Sequence, residues 1–248
     1  MAERVRGRAE DLHGWSADAL RDEARSVGVE LGDGALARCE ALYREVLEAR
    51  LNVTSILEAT AFRQQMVVDS LSCLRSVQLQ AGDRFIDVGS GGGFPGLPVA
   101  IARPDVRVVL IEAAQRKCAF LERLVARIGA GNAEVVCARA EDVARSPTGR
   151  DSAAVVAARA LAPLSDLLEL TAPLCAVEGH VVAMKGPRAD EELKAAARAS
   201  GVLCLRLVAE LRFTLPGGHE RILLTFRKVA PTPARFPRRP AARARTPL

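Results

Sequence analysis

The sequence predicts an α/β protein: an open, Rossmann-like, mostly parallel sheet with an antiparallel edge hairpin and helices ahead of it. Three observations predict it. From residue 84 onward, short apolar strands alternate with helical stretches. The first strand, Phe85-Ile86-Asp87-Val88, runs directly into Gly89-Ser90-Gly91-Gly92-Gly93-Phe94-Pro95-Gly96. Near the end, Pro216-Gly217-Gly218 separates two further strand-like stretches and reads as a hairpin turn.

Each element follows from local pattern. A charged lead of about thirty residues contains a helix at 18–26. Leu36, Leu42, Val46 and Leu47 give 34–48 helical spacing, and Leu51-Asn52-Val53-Thr54-Ser55-Ile56 ends that helix. A further amphipathic helix is expected at 61–76, and Ala81-Gly82-Asp83 turns the chain into the sheet. Strands are expected at 84–88, 107–111, 133–137, 152–157 and 180–184, with helices at 97–102, 115–128, 164–174 and 189–199 between and after them. The last two strands fall at 203–210 and 220–228. The domain reading is a helical extension over 1–80, the sheet domain over 81–229, and a disordered basic Pro/Arg tail over 230–248.

Bulk composition narrows the class. With 248 residues, 49% hydrophobic and 26% charged, the chain is long enough for a full core and ordinary for a soluble globular protein. No uncharged apolar run approaches the ~18 residues a membrane span needs. Acids come early after Met1 and no apolar run follows, so no secretory signal is read, and a cytoplasmic protein is expected. The six cysteines lie far apart without CxxC spacing, and reduced thiols are expected rather than disulfides or zinc. The net charge of +5 equals the five arginines of the tail, Arg235, Arg238, Arg239, Arg243 and Arg245, in a stretch with no acid. That tail reads either as an arm for RNA phosphates or as a solvated terminus.

The glycine run brings bare backbone N–H groups and a helix start up to a small ligand. Gly91-x-Gly93-x-x-Gly96, with Glu112 about twenty residues on, also satisfies the dinucleotide pattern. Three features favour S-adenosylmethionine over NAD. Asp87 before the loop suits the ammonium of an amino-acid end. Little chain remains for a separate catalytic domain. Arg139-Ala140-Glu141-Asp142 follows the third strand, where an adenine pocket would be completed. Glu112 is then the ribose-holding acid, while Glu141 alone could equally be a helix-start acid.

With these residues in view, the chain resembles the RsmG (GidB) family of small-subunit ribosomal RNA methyltransferases. The resemblance spans roughly 34–228 and rests on several markers. They are Asn52-Val53-Thr54-Ser55-Ile56, Val68-Asp69-Ser70-Leu71, the glycine block with its Phe94-to-Pro98 continuation, and Arg139-Ala140-Glu141. Ala158-Arg159-Ala160, Met184-Lys185-Gly186 and Glu220-Arg221 complete the set. It implies a class I S-adenosylmethionine-dependent methyltransferase fold and methyl transfer to N7 of a guanine in 16S rRNA near the decoding centre. It implies cofactor contacts at Gly89, Phe94, Ala140, Glu141 and Arg159, with Glu112 added from the fold. Implied RNA-facing positions are Arg139, Arg221 and Lys185. The expected partner is 16S rRNA or the small ribosomal subunit, and a monomer is expected. Two departures stand out: Gln65-Met66 where relatives often have Arg-His, and Ala158 where many have Ser.

No general base is expected. Guanine N7 carries a free lone pair and no proton, so catalysis reduces to positioning, desolvation and charge. His13, His180 and His219 accordingly read as structural or solvated. Phe94 and Phe213 are the candidate stacking platforms for a splayed base. Rival readings are a same-fold methyltransferase for a small molecule or protein, a non-catalytic RNA-binding module, and an NAD-dependent oxidoreductase.

Overall fold

The computed structural model describes residues 14–49 and 51–248; His13 lies outside them. Among the described residues the first α-helix is α1 (Ala17–Ser26), whose first turn is capped by Ser16 Oγ accepting from Ala19 N at 3.2 Å. After α2 (Asp33–Glu48) comes α3, a helical run over 59–76. It starts two residues earlier than the sequence predicts because Glu58 caps it. The Glu58 carboxylate accepts from Thr60 N and Ala61 N at 2.8 and 2.6 Å, and these bonds hold it below its ordinary pKa. The middle of α3, Arg63–Val68, is a π-helical turn, a geometry that recurs at functional sites.

The sheet has seven strands in the order β3-β2-β1-β4-β5-β7-β6. β1 (Arg84–Val88), β2 (Arg107–Glu112), β3 (Ala133–Cys137), β4 (Ala153–Arg159) and β5 (Cys175–Lys185) are parallel. β6 (Leu205–Thr214) and β7 (Glu220–Lys228) form the expected antiparallel hairpin, with β7 paired to β5. The strand order reverses between β1 and β4, the switch point where open α/β sheets bind ligands at their carboxyl ends. Arg159 is the last residue of β4 and Glu112 the last of β2, so both stand on that edge.

Alternation along the strands splits the core in two. Phe85, Val108, Leu110, Val155, Ala157 and Val182 face α1, α2, α3, α4 (Gly96–Ala102) and α5 (Gln115–Arg127). Ile86, Val88, Val109, Ile111, Val156 and Val181 face the other side, where α6 (Ala140–Val143), α7 (Leu164–Thr171), α8 (Ala189–Ala195) and α9 (Ala197–Val202) lie. Phe85 and Ile86 are both fully buried, each worth about 1.5–3 kcal/mol of transfer free energy. Helices over the segment read as an N-terminal extension contribute Leu20, Leu42 and Phe62 to the first of these cores.

Four local expectations change. β5 begins at Cys175, not 180, because a register shift opposite Ala153 and Val155 absorbs the extra residues. Gly179 permits this: a Cβ there would stand 2.8 Å from Ala154 O. The single helix expected over 189–199 breaks at Ala196 into α8 and α9. Cys118 and Cys137, read as reduced thiols, are joined in a disulfide, with Cα atoms 5.6 Å apart. The β2–α5–β3 crossover brings the two residues together, which their spacing in sequence conceals.

The tail is the fourth difference. Residues 230–248, expected to be disordered, pack on the domain and end in α10 (Pro240–Arg245). Phe236 is buried in the second core, and Arg150 binds the carbonyls of Thr232 and Phe236 at 2.6 and 3.1 Å. Composition alone misled because two tail arginines meet buried glutamates from distant elements. Arg238 pairs with Glu169 and Arg243 with Glu141.

Candidate active site

The glycine loop follows from the end of β1. Gly89, Gly91 and Gly93 hold φ of +74, +57 and +96°, the left-handed region that suits glycine. Gly96 opens α4 where a Cβ would lie 2.2 Å from Leu110 Cδ2 and 2.9 Å from Asp87 Oδ2. Its N–H instead donates to Asp87 Oδ2 at 2.9 Å. The Asp87 carboxylate is fully buried, and its second oxygen, Oδ1, has no partner. Burial pushes this carboxyl up to about 7, against the opposing hydrogen bond from Gly96 N, while Ser90 Oγ donates to the Asp87 main-chain carbonyl at 3.1 Å.

Glu112 stands across the loop. Its Oε2 accepts from Gly91 N and its Oε1 from Ala114 N, both at 2.9 Å. Each oxygen keeps a spare lone pair, so the carboxylate both shapes the loop and can accept a hydroxyl. Leu161 roofs the same loop: a Cβ on Gly89 would meet Leu161 Cδ1 at 2.5 Å. The residue before it, Ala160, sits at φ +52°, an uncommon geometry for a side-chain-bearing residue and often found beside binding sites.

Leu161 also lines a cleft of about 840 Å³ that opens beside the loop. Val53, Thr54, Ser55 and Ile56 form one wall, and Gln65, Met66 and Asp69 from α3 another. Arg159, Lys185 and Arg221 come from β4, β5 and β7. At its centre a single carboxylate holds two guanidinium groups. Arg159 NH1 donates to Asp69 Oδ2 at 3.2 Å, and Arg221 Nε donates to Asp69 Oδ1 at 3.0 Å. Arg159 NH1 also reaches Gln65 O at 2.9 Å, a carbonyl presented by the π-helical turn. Its guanidinium lies 5.4 Å from the centre of the Phe94 ring, within cation–π range.

The structure therefore brings Gly89, Phe94, Glu112 and Arg159 to one edge of the sheet. Phe94 is buried, edge-on to Phe62 at 5.7 Å, so it supports Arg159 from below and is no exposed stacking platform. Phe213 is half-buried under Arg75, whose guanidinium is 4.7 Å from its ring centre. Ala140 and Glu141 begin α6 after β3, and the Glu141 carboxylate is taken by Arg243 NH2 at 2.7 Å.

The three positions read as RNA-facing differ sharply. Arg139 is exposed and makes no ion pair or side-chain hydrogen bond among the described residues. Arg221 is tied to Asp69. Lys185 Nζ, with its side chain 9% exposed, donates to Glu192 Oε2 at 2.7 Å and Ala162 O at 2.8 Å. It fixes the 160–163 loop to α8 rather than offering a free charge. Two acids that sequence reasoning missed as site residues, Asp69 and Glu192, thus organise the cleft's cations. Asp69 lies within the Val68-to-Leu71 motif, but nothing local marks it as the partner of residues 90 and 152 positions away.

His180 lies on β5, where burial lowers its pKa, and His219 lies in the β6–β7 turn. Among the described residues no histidine or cysteine lines the cleft. Among the described residues no cluster of His, Cys, Asp or Glu could hold a metal, and no helix is long and apolar enough to cross a membrane.

Comparison with known proteins bears on the family and the fold. The family model GidB, described as rRNA small subunit methyltransferase G, matches residues 38–211. A Pelotomaculum thermopropionicum protein named ribosomal RNA small subunit methyltransferase G is 39% identical over 235 residues, covering 94% of this chain and 98% of that one. A Roseiflexus castenholzii protein of the same name is 40% identical over 237 residues, covering 93% and 99%. Among solved structures, the YcgJ protein from Bacillus subtilis superposes with a TM-score of 0.50 at 11% identity. It covers 65% of this chain and 98% of that one, a likeness of fold alone.

Proposed function

The chain belongs to the GidB family of small-subunit rRNA methyltransferases, and from that premise we propose that it transfers a methyl group from S-adenosylmethionine to N7 of a guanine in 16S rRNA. One observation carries the reading. A glycine loop with a buried, half-unpartnered carboxylate opens beside a cleft centred on the Arg159–Asp69–Arg221 cluster.

The donor side fits the cofactor. Asp87 Oδ1 is an orphaned acceptor, and an ammonium group is the donor that would satisfy it. Glu112 offers lone pairs to ribose hydroxyls, and the backbone at Ala140 and Glu141 borders the adenine side. When bound, S-adenosylmethionine supplies an electrophilic sulfonium methyl. Everything else is asked of the protein's own residues.

On the acceptor side a purine N7 attacks with its own lone pair, so no residue has to remove a proton. In the cleft, both oxygens of Asp69 are engaged by guanidinium groups. Arg159 and Arg221 keep the cleft electropositive while Asp69 fixes their direction, which favours a phosphate-bearing substrate. Leu161 and Met66 supply apolar wall that excludes water from the reacting methyl. Arg139, exposed and unpaired among the described residues, is the free contact for RNA phosphate. The same reading expects a monomer working in the cytoplasm on 16S rRNA or the small subunit.

The test supplies radiolabelled S-adenosylmethionine to the protein with small-subunit particles that lack the modification. N7-methylguanine is then mapped by chemical cleavage of the 16S rRNA. Label at one guanine near the decoding centre is the expected result. Label elsewhere, or none, overturns the assignment.

A further inference from the structure

The C-terminal segment after β7 is bound to the domain at two buried carboxylates. Glu169 on α7 is fully buried, and Arg238 closes on it with four contacts, one of them Nε to Oε2 at 3.1 Å. The others run from Arg238 N to Oε1 at 2.7 Å, Nε to Oε1 at 2.9 Å and NH2 to Oε2 at 2.6 Å. Glu141 on α6 is the second. Arg243 NH2 donates to its Oε1 at 2.7 Å, with side chains only 12% and 7% exposed. Arg243 NH1 turns back to Arg238 O at 2.9 Å, so the two anchors brace each other. Arg145, one turn beyond Glu141, binds Pro237 O through NH2 at 2.5 Å and Glu141 O through NH1 at 3.3 Å.

The distribution of arginines is selective. Arg235, Arg239 and Arg245 are exposed, whereas Arg238 and Arg243 are spent on the two glutamates. A tail serving only as a loose cationic arm would need no such buried partners. The second partner, moreover, belongs to the short Ala140–Glu141 segment that follows β3 on the ligand-binding edge of the sheet.

We propose that the tail is a strap in which Arg243, braced by Arg238, is a positioning residue for the adenine side of the cofactor site, acting through Glu141. The inference rests on the S-adenosylmethionine reading above. The strap holds α6 from behind, so the backbone of Ala140 and Glu141 is pre-set before the cofactor arrives. Pre-setting a loop strengthens binding without adding a contact. It leaves the rate of methyl transfer at saturation untouched, because no strap atom lies in the acceptor cleft.

The experiment uses the full chain and three variants, R243Q, R243K and R245Q, with S-adenosylmethionine binding measured by calorimetry and turnover measured on small-subunit particles. R243Q leaves Glu141 buried without its cation, and affinity is expected to fall about tenfold. Turnover at saturating cofactor stays close to the parent, R243K restores most of the affinity, and R245Q, an exposed neighbour, changes nothing. Circular dichroism melting of each variant keeps loss of fold separate from loss of affinity. Parental affinity in R243Q, or a loss that R243K does not repair, overturns the strap while leaving the cofactor reading intact. A wild-type chain that binds no S-adenosylmethionine overturns the cofactor reading itself, and the strap with it.

Discussion

Asp69→Asn tests the centre of the cleft. The Asp69 side chain is 5% exposed and is the shared anion of Arg159 and Arg221, whose side chains are 17% and 24% exposed. Removing one member of a fully buried ion pair costs about 3–5 kcal/mol, because the surviving charge has no partner. Here the surviving guanidinium groups keep some water, Gln65 O still accepts from Arg159, and asparagine retains one acceptor oxygen. The lower end applies, about 2–3 kcal/mol once that residual solvation is allowed for. For a chain of this size, each kcal/mol moves the melting temperature by roughly 2–4 °C, so a drop of about 4–12 °C is expected. Urea unfolding read by linear extrapolation measures the loss directly. The D69N/R221Q double variant should cost less than the sum of the singles, since the two changes remove one interaction. A loss under about 0.5 kcal/mol, the range of exposed pairs, or strict additivity, would mean that Asp69 is not the shared buried anchor of the two arginines.

Two further outcomes follow from the geometry. Asp87, held at about 7 by burial, sits well above the ~3.9 of an unfolded chain. Its contribution to stability is therefore full below that unfolded value and is lost as pH rises through about 7. A cationic ammonium favours the ionised form, so S-adenosylmethionine affinity should rise between about pH 5.5 and 7.5, with proton release on binding at the acid end. Calorimetry in buffers of different ionisation enthalpy reads both; a flat profile, or an Asp87→Asn variant with the parental one, would sink the assignment. For RNA recognition, Arg139→Gln should lower the salt slope of binding by about 0.7–0.9 for each phosphate that the arginine neutralises. It should leave stability within about 0.5 kcal/mol, as for other exposed sites. An unchanged slope means that Arg139 meets no phosphate.

What the sequence made legible was local. The run from Phe85 to Gly96 exposed a strand, a turn and a helix start within twelve residues, and each followed from apolar spacing or from a glycine's freedom. Glu112 was legible because a parallel β–α–β unit fixes how far along the chain the next strand end falls. Asp69 was not, since its partners come from β4 and β7 and are joined to it only by sheet topology. The tail failed for the same reason: proline and arginine signal disorder until Glu169 and Glu141 are known to wait beneath them. Lys185 failed in the opposite direction. A lysine after an apolar strand reads as a free charge, and only the position of α8 turns it inward to Glu192.

The place of β7 in the sheet governs how the chain can be made. Of the seven described strands it is the last to leave a ribosome, yet it occupies an interior slot between β5 and β6. β6 emerges earlier and has no neighbour except β7, so it must wait unpaired. β5 waits as well, with its free edge along His180 to Lys185 open until Ile222 to Arg227 arrive. A nascent chain interrupted between these two points carries an unprotected strand edge, the feature that invites sticking to other chains. Synthesis must therefore reach Lys228 before the facing edges of β5 and β6 are both covered.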